Sequence, residues 1–199
     1  MGFTARQFQQ MQERLAGKSG KKVDSMEVGG SGKHELILGI DPSLRGTGYG
    51  VIRVGKPHPI ALAHGTVSIP ASWEHSRCLA KIFETVHDVV AEHKPTVCVM
   101  EGLFFAQNLQ TALIMGEARG ASMVAAAQAG LDVYEISPRK MKLAIVGYGA
   151  AQKHAVAKMV QRFLQLAEAP ASDAADAMAL AIAYAQETNR FSISPPKRI

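Results

Sequence analysis

Two cysteines are too few for a disulfide framework. Cys78 and Cys98 both sit inside apolar stretches, which reads them as buried thiols of a reducing compartment and argues against a metal knuckle. No apolar run approaches the length of a membrane span, so a membrane partner is not expected. The first 20 residues are polar and hold no apolar segment of the kind an export signal needs, which makes the reading cytoplasmic. Acids are outnumbered by bases, 17 to 22, giving a net charge of +5 and a pI near 9.3. That balance leans toward an anionic partner such as nucleic acid without specifying one.

What is present divides into three parts. Residues 1–34 read as a basic extension, with a short helix over 3–16 and a Gly/Ser/Lys-rich linker over 17–33. The run Gly29 to His34 imitates a phosphate loop, but Glu27 stands where glycine is required and His34 where Ser or Thr is required. A strand follows where a helix should. Residues 35–188 carry the pattern of one folded domain, a length that can bury a core. Residues 189–199, with Pro195 and Pro196, read as a loose tail.

Within the domain, residues 36–40, 48–54 and 60–68 read as three strands joined by Gly/Pro turns, an antiparallel meander. Ser72 caps a helix that runs to His93, with Leu79, Ile82, Phe83, Val86, Val89 and Val90 on one face. A strand at 96–100, a long helix at 107–130 and a fifth strand at 131–136 follow. Helices at 139–145, 152–166 and 172–186 complete the chain. The expectation is an α/β fold, a five-stranded mixed sheet with helices on both faces.

Two of these strands stop abruptly on a carboxylate, the first at Asp41 and the fourth at Glu101. Strand carboxyl ends are where ligands meet such sheets. A charge at the end of a buried strand needs a cationic partner, although a turn aspartate bonding its own loop amides is a second reading for Asp41. Asp173 and Asp176 share one helix face. A helix start also stabilises carboxylates through its dipole, so that pair stays open to a purely local reading. Four acids gathered in one cleft would repel one another unless divalent cations lay between them. Mg²⁺ favours such oxygen ligands, and paired ions serve phosphodiester hydrolysis.

The run Gly39-Ile40-Asp41-Pro42, Arg45, Thr47-Gly48-Tyr49-Gly50, Glu101-Gly102-Leu103-Phe104, Asn108, Gly116-Glu117-Ala118-Arg119-Gly120, Lys142, Val146-Gly147-Tyr148-Gly149, Lys153 and Asp173-Ala174-Ala175-Asp176-Ala177 closely resembles the RuvC family. Those proteins are bacterial Holliday-junction resolvases with a ribonuclease H-like fold. The resemblance spans about residues 36–188 and implies a crossover junction endodeoxyribonuclease acting in DNA recombination and repair. Asp41, Glu101, Asp173 and Asp176 match the family's metal-binding acids, which hold two Mg²⁺ per site with Mn²⁺ as a substitute. The same likeness implies paired nicks with 5′-phosphate and 3′-hydroxyl ends, a homodimer on a two-fold symmetric four-way DNA junction, and a RuvA–RuvB branch-migration partner. It places the long helix from Gln107 at the dimer interface, with core packing as the alternative.

Lys153 and Lys142 match family lysines beside the scissile phosphate. Phe104 matches an aromatic that stacks on a base at the junction centre, and Phe105 next to it is an alternative for that role. Arg45, Asn108, Arg139 and Lys140 are read as DNA contacts that position the backbone. Two departures stand out: Ser43 replaces a usual glycine after Asp-Pro, and Ala155 a usual glutamine two residues after Lys153. His154 adjoins the site and is left without a role. Two rivals remain at this point. An actin-like ATPase shares the opening strand, acid and glycine turn but needs a second domain. A non-catalytic junction- or RNA-binding relative would use the fold as a platform.

Overall fold

The computed structural model describes residues 34–102, 109–188 and 195–199. The extension over 1–33, and with it the short helix and linker expected there, lies outside the described residues. Leu36–Asp41 (β1) alternates its side chains between two faces, with Ile37 and Gly39 on one and Leu38 and Ile40 on the other. Both faces are covered, which is why the strand is an uninterrupted apolar run. Gly46–Arg53 (β2) and Ile60–Ser68 (β3) pair antiparallel beside it, the meander expected from the turns. The turn after β1 is closed by one side chain. Thr47 Oγ1 accepts from the Ser43 amide at 3.1 Å and donates to the Ser43 carbonyl. Ser43 thus enters this turn through its backbone.

The next helix, His75–His93 (α1), starts two residues later than Ser72 as its cap would place it. The Trp73 amide bonds the Pro70 carbonyl in a tight turn, and the N-cap falls on Glu74 without a side-chain cap bond. Lys94 ends the helix in the left-handed conformation, its amide on the Val90 carbonyl. Val97–Glu101 (β4) then pairs parallel with β1, with Ile40 beside Met100. Asp41 and Glu101 therefore leave the sheet side by side.

Leu109–Gln128 (α2) returns over the sheet to Asp132–Ile136 (β5), parallel to β4. Pro138–Val146 (α3) begins on a proline behind Ser137, whose hydroxyl accepts the Lys140 amide. Lys153–Leu164 (α4) ends on left-handed Gln165, short of Leu166. Ser172–Thr188 (α5) is the last helix among the described residues. Among the described residues the sheet has six strands, in the order β3-β2-β1-β4-β5 and then Lys197–Arg198, where the sequence reads five. The sixth, Lys197–Arg198 (β6), falls in the stretch expected to be loose. It pairs antiparallel with β5, and Arg198 bonds Asp132. The open edge of β5 supplies the hydrogen-bond partners that two charged residues would otherwise find in water.

Helices α1 and α2 cover one face of the sheet, and α3, α4 and α5 the other. Both cysteines are buried thiols, and burial pushes the Cys98 thiol up. The seating of α5 decides where Asp173 and Asp176 lie. Every residue from Ala174 to Ala185 is buried, and alanines let the helix lie unusually close to β1 and β2. A Cβ on Gly39 would fall 1.9 Å from the Ala177 carbonyl oxygen, and one on Gly48 2.0 Å from that of Asp173. Only glycine permits that approach. Contact of helix backbone on strand backbone carries the start of α5 to the ends of β1 and β4.

Candidate metal-dependent active site

Three elements deliver four carboxylates to one cleft of about 570 Å³: Asp41 from β1, Glu101 from β4, and Asp173 and Asp176 from the first turns of α5. Lys153, at the first turn of α4, and Lys142 of α3 stand on its rim. Lys153 Nζ lies 3.3 Å from Asp176 and 3.7 Å from Asp173. The helix-start reading of Asp173 and Asp176 is therefore incomplete. Both carboxylates also take part in a tertiary arrangement with a cation from another helix.

The electrostatics are those of crowded acids. The Asp41 carboxyl is pushed up to about 8, by burial first and then by the charges of Glu101 and Asp176. Glu101 is raised as well, again by burial first and then by Asp176, although a hydrogen bond with Asp41 works the other way. Burial raises Asp176 too, and the nearby Lys153 only partly offsets it. Lys153 itself is held charged, since the surrounding carboxylates outweigh its own partial burial. One lysine thus faces several acids; it keeps its own proton, and its single charge does not offset their burial and mutual repulsion.

As the side chains stand, no three His, Cys, Asp or Glu residues among those described form a ready-made ligand group for an ion. The residues nevertheless fit divalent cations. Asp176 Oδ1 is buried without a hydrogen-bond partner, an arrangement that leaves a desolvated acceptor unsatisfied. The elevated Asp41 and Glu101 are stabilised by positive charge in the same place. Carboxylate oxygens alone form the donor set, which suits a hard ion such as Mg²⁺ or Mn²⁺ over zinc.

Other expected contacts are placed less uniformly. Arg45 borders the cleft, but its guanidinium donates to the Pro70 and Trp73 carbonyls, the latter at 3.1 Å. That anchors the turn before α1 and leaves less of the fork for a phosphate. Lys140 stands outside the cleft lining and pairs with Glu187 at 2.6 Å, a partner on α5 that sequence distance conceals. Arg139, also outside the lining, packs its stem on Gly149. Phe104, Phe105 and Asn108 lie outside the described residues. Unforeseen is the wall that α2 contributes through Thr111, Ile114 and Met115. Their spacing of three and four residues, on a helix that follows Glu101 within one loop, was the available signal.

The sequence profile described as crossover junction endodeoxyribonuclease RuvC matches residues 37–184. A crossover junction endodeoxyribonuclease RuvC of Akkermansia muciniphila is 44% identical over 161 residues, 81% of this chain and 93% of that protein. One from Heliobacterium modesticaldum is 45% identical over 151 residues, 75% and 93% of the two chains. Among solved structures, T. thermophilus RuvC in complex with Holliday junction substrate superposes with a TM-score of 0.76 at 33% identity, over 83% of this chain and all of that one. The mixed sheet is the ribonuclease H-like fold of those proteins, and the matched segment contains all four acids. On sequence and architecture together, the chain belongs to the RuvC family of crossover junction endodeoxyribonucleases.

Proposed function

We propose that this protein cuts four-way DNA junctions by paired, symmetric, metal-dependent hydrolysis, leaving 5′-phosphate and 3′-hydroxyl ends that ligase can seal. The observation that carries the reading is the convergence of Asp41, Glu101, Asp173 and Asp176 in one cleft with lysines at its rim. When bound, two Mg²⁺ or Mn²⁺ ions supply Lewis-acid stabilisation and an activated water. Asp41, Glu101, Asp173 and Asp176 would hold them, with the buried Oδ1 of Asp176 gaining the partner it lacks. Lys153, charged and mostly exposed, meets a phosphate at the rim and offsets charge that develops there. Lys142 adds a second cation. Arg45, Asn108, Arg139 and Lys140 are assigned to the DNA backbone, Arg45 and Lys140 with their present partners as competitors.

The nuclease unit is residues 35–188. A four-way junction is two-fold symmetric, so two opposed cuts call for a homodimer. Exposed Leu113 and Val124 support α2 as its interface. A RuvA–RuvB complex is the branch-migration partner that family membership suggests. The decisive experiment offers a synthetic mobile junction and a linear duplex with Mg²⁺ or EDTA. Symmetric, resealable nicks in the junction alone are expected. Tight junction binding without cutting under any divalent ion would leave a binding platform instead.

Phe104 is assigned to stacking on an unpaired base. Phe104→Ala is expected to slow cutting by about tenfold or more while changing junction affinity by less than about threefold, the range one base stack supplies. Measured rates and gel-shift affinities decide it, with Phe105→Ala as the comparison. Equal loss in both variants would remove the distinction between the two rings.

A further inference from the structure

On the face of the sheet opposite the acids, one charged pair lies at the same strand ends, its arginine buried and its glutamate half-buried. Arg119 of α2, its side chain 8% exposed, donates to Glu135 of β5 at 2.5 Å, and its other nitrogen reaches Met123 Sδ at 3.6 Å. Glu135 lies across the strand exit: a Cβ on Gly102 would sit 3.0 Å from its Cγ and 3.2 Å from its Cδ. Gly102 immediately follows Glu101, and its amide bonds the Ile136 carbonyl at 2.9 Å. One turn before Arg119, Met115 lines the cleft.

We infer that Arg119 and Glu135 are positioning residues, an ionic clamp that fixes the exit of β4 at Glu101 and the α2 wall of the cleft in one geometry. The consequence for cutting rests on the proposed nuclease activity. A buried ion pair is a poor source of stability, because apolar side chains of similar volume fold as well or better. The guanidinium fork instead supplies a single orientation, which a flexible apolar pair would not fix. Here that orientation is transmitted through Gly102, which has no side chain to hold Glu135 away.

The test replaces both charges at once, Arg119→Met with Glu135→Met, so that neither is left buried alone. Arg119→Lys keeps the charge and loses the fork. The doubly substituted protein is expected to unfold at or above the wild-type temperature. Exchange of its Gly102 amide should be faster by about tenfold or more, because a strand end released from its clamp opens locally. Nicking should fall by about tenfold or more, with junction affinity within about threefold, since misplacing a metal-holding carboxylate affects turnover more than binding. Arg119→Lys should lie between the two proteins in both rate and exchange.

Unchanged Gly102 exchange in the stable double variant overturns the clamp, whatever the protein cuts. Faster exchange with wild-type nicking overturns its role in positioning Glu101. A wild-type protein that cuts no junction would instead overturn the nuclease reading, and the exchange measurement would still decide the clamp.

Discussion

Asp41→Asn is expected to reduce junction cutting by at least about a thousandfold and to leave junction affinity within about threefold, a larger loss than removal of one hydrogen-bond donor from an active site usually brings. It should also stabilise the metal-free protein. The Asp41 carboxyl rises from 3.8 to about 8 on folding. Below the lower value both states hold the proton and the fold incurs no penalty. As pH climbs from 3.8 toward about 8 the unfolded chain releases its proton and the folded one retains it, so stability is lost across that window. At pH 7 the penalty is on the order of 4 kcal/mol, worth about ten degrees in a domain of this size.

An amide of the same shape carries no such penalty. Thermal unfolding in EDTA from about pH 4 to about pH 8 should therefore show a falling midpoint for the wild type and a flatter one for Asp41→Asn. Added Mg²⁺ should raise the wild-type midpoint more than the variant's. A wild-type midpoint that does not fall across the window would mean that the acids are not crowded in solution. Normal cutting by Asp41→Asn would remove Asp41 from the metal site.

The acids were legible because their sequence context is abnormal for charge. Leu-Ile-Leu-Gly-Ile ends on Asp41 and Val-Cys-Val-Met on Glu101, and strands buried on both faces end on a carboxylate only where something meets it. Asp173 and Asp176 were legible as a pair from helical spacing, but their junction with the strand ends rests on Gly39 and Gly48, whose close approach to α5 no local pattern announces. In the sequence Lys140 reads as a contact to the DNA backbone. Its partner Glu187 reaches it only once α3 and α5 pack on the same side of the sheet. Lys197–Arg198 carries no strand signature, being charged and proline-flanked, and it pairs because β5 has an open edge. The helix cap moved from Ser72 to Glu74 because the chain first turns between Pro70 and Trp73. Local composition thus marked the charges, and tertiary packing decided which neighbours they met.

That dependence on packing makes Gly48→Ala a severely damaging small substitution away from the carboxylates themselves. Its new Cβ would lie 2.0 Å from the Asp173 carbonyl oxygen and 2.3 Å from the carbonyl carbon. Both are backbone atoms of the first turn of α5, which has no rotamer to yield with. The helix start must move away from β2, and Asp173 and Asp176 move with it. The expected result is a loss of about 3 kcal/mol, at the upper end of what overpacking by one methyl exacts, or a fall of about 10 °C in the unfolding midpoint. Cutting by the folded fraction should fall by about a hundredfold, since displacement of reacting groups by about 1 Å has that effect. Gly55→Ala is the control: its Cβ meets nothing nearer than the His58 carbonyl oxygen at 3.6 Å, and it should change stability by no more than about 0.5 kcal/mol. Added Mg²⁺ separates the two losses in Gly48→Ala. If displaced acids still gather an ion, metal recovers part of the stability without recovering the rate. Should Gly48→Ala instead unfold and cut like wild type, α5 does not lie on β2 as closely as described, and the route by which Asp173 and Asp176 reach the strand ends would have to be different.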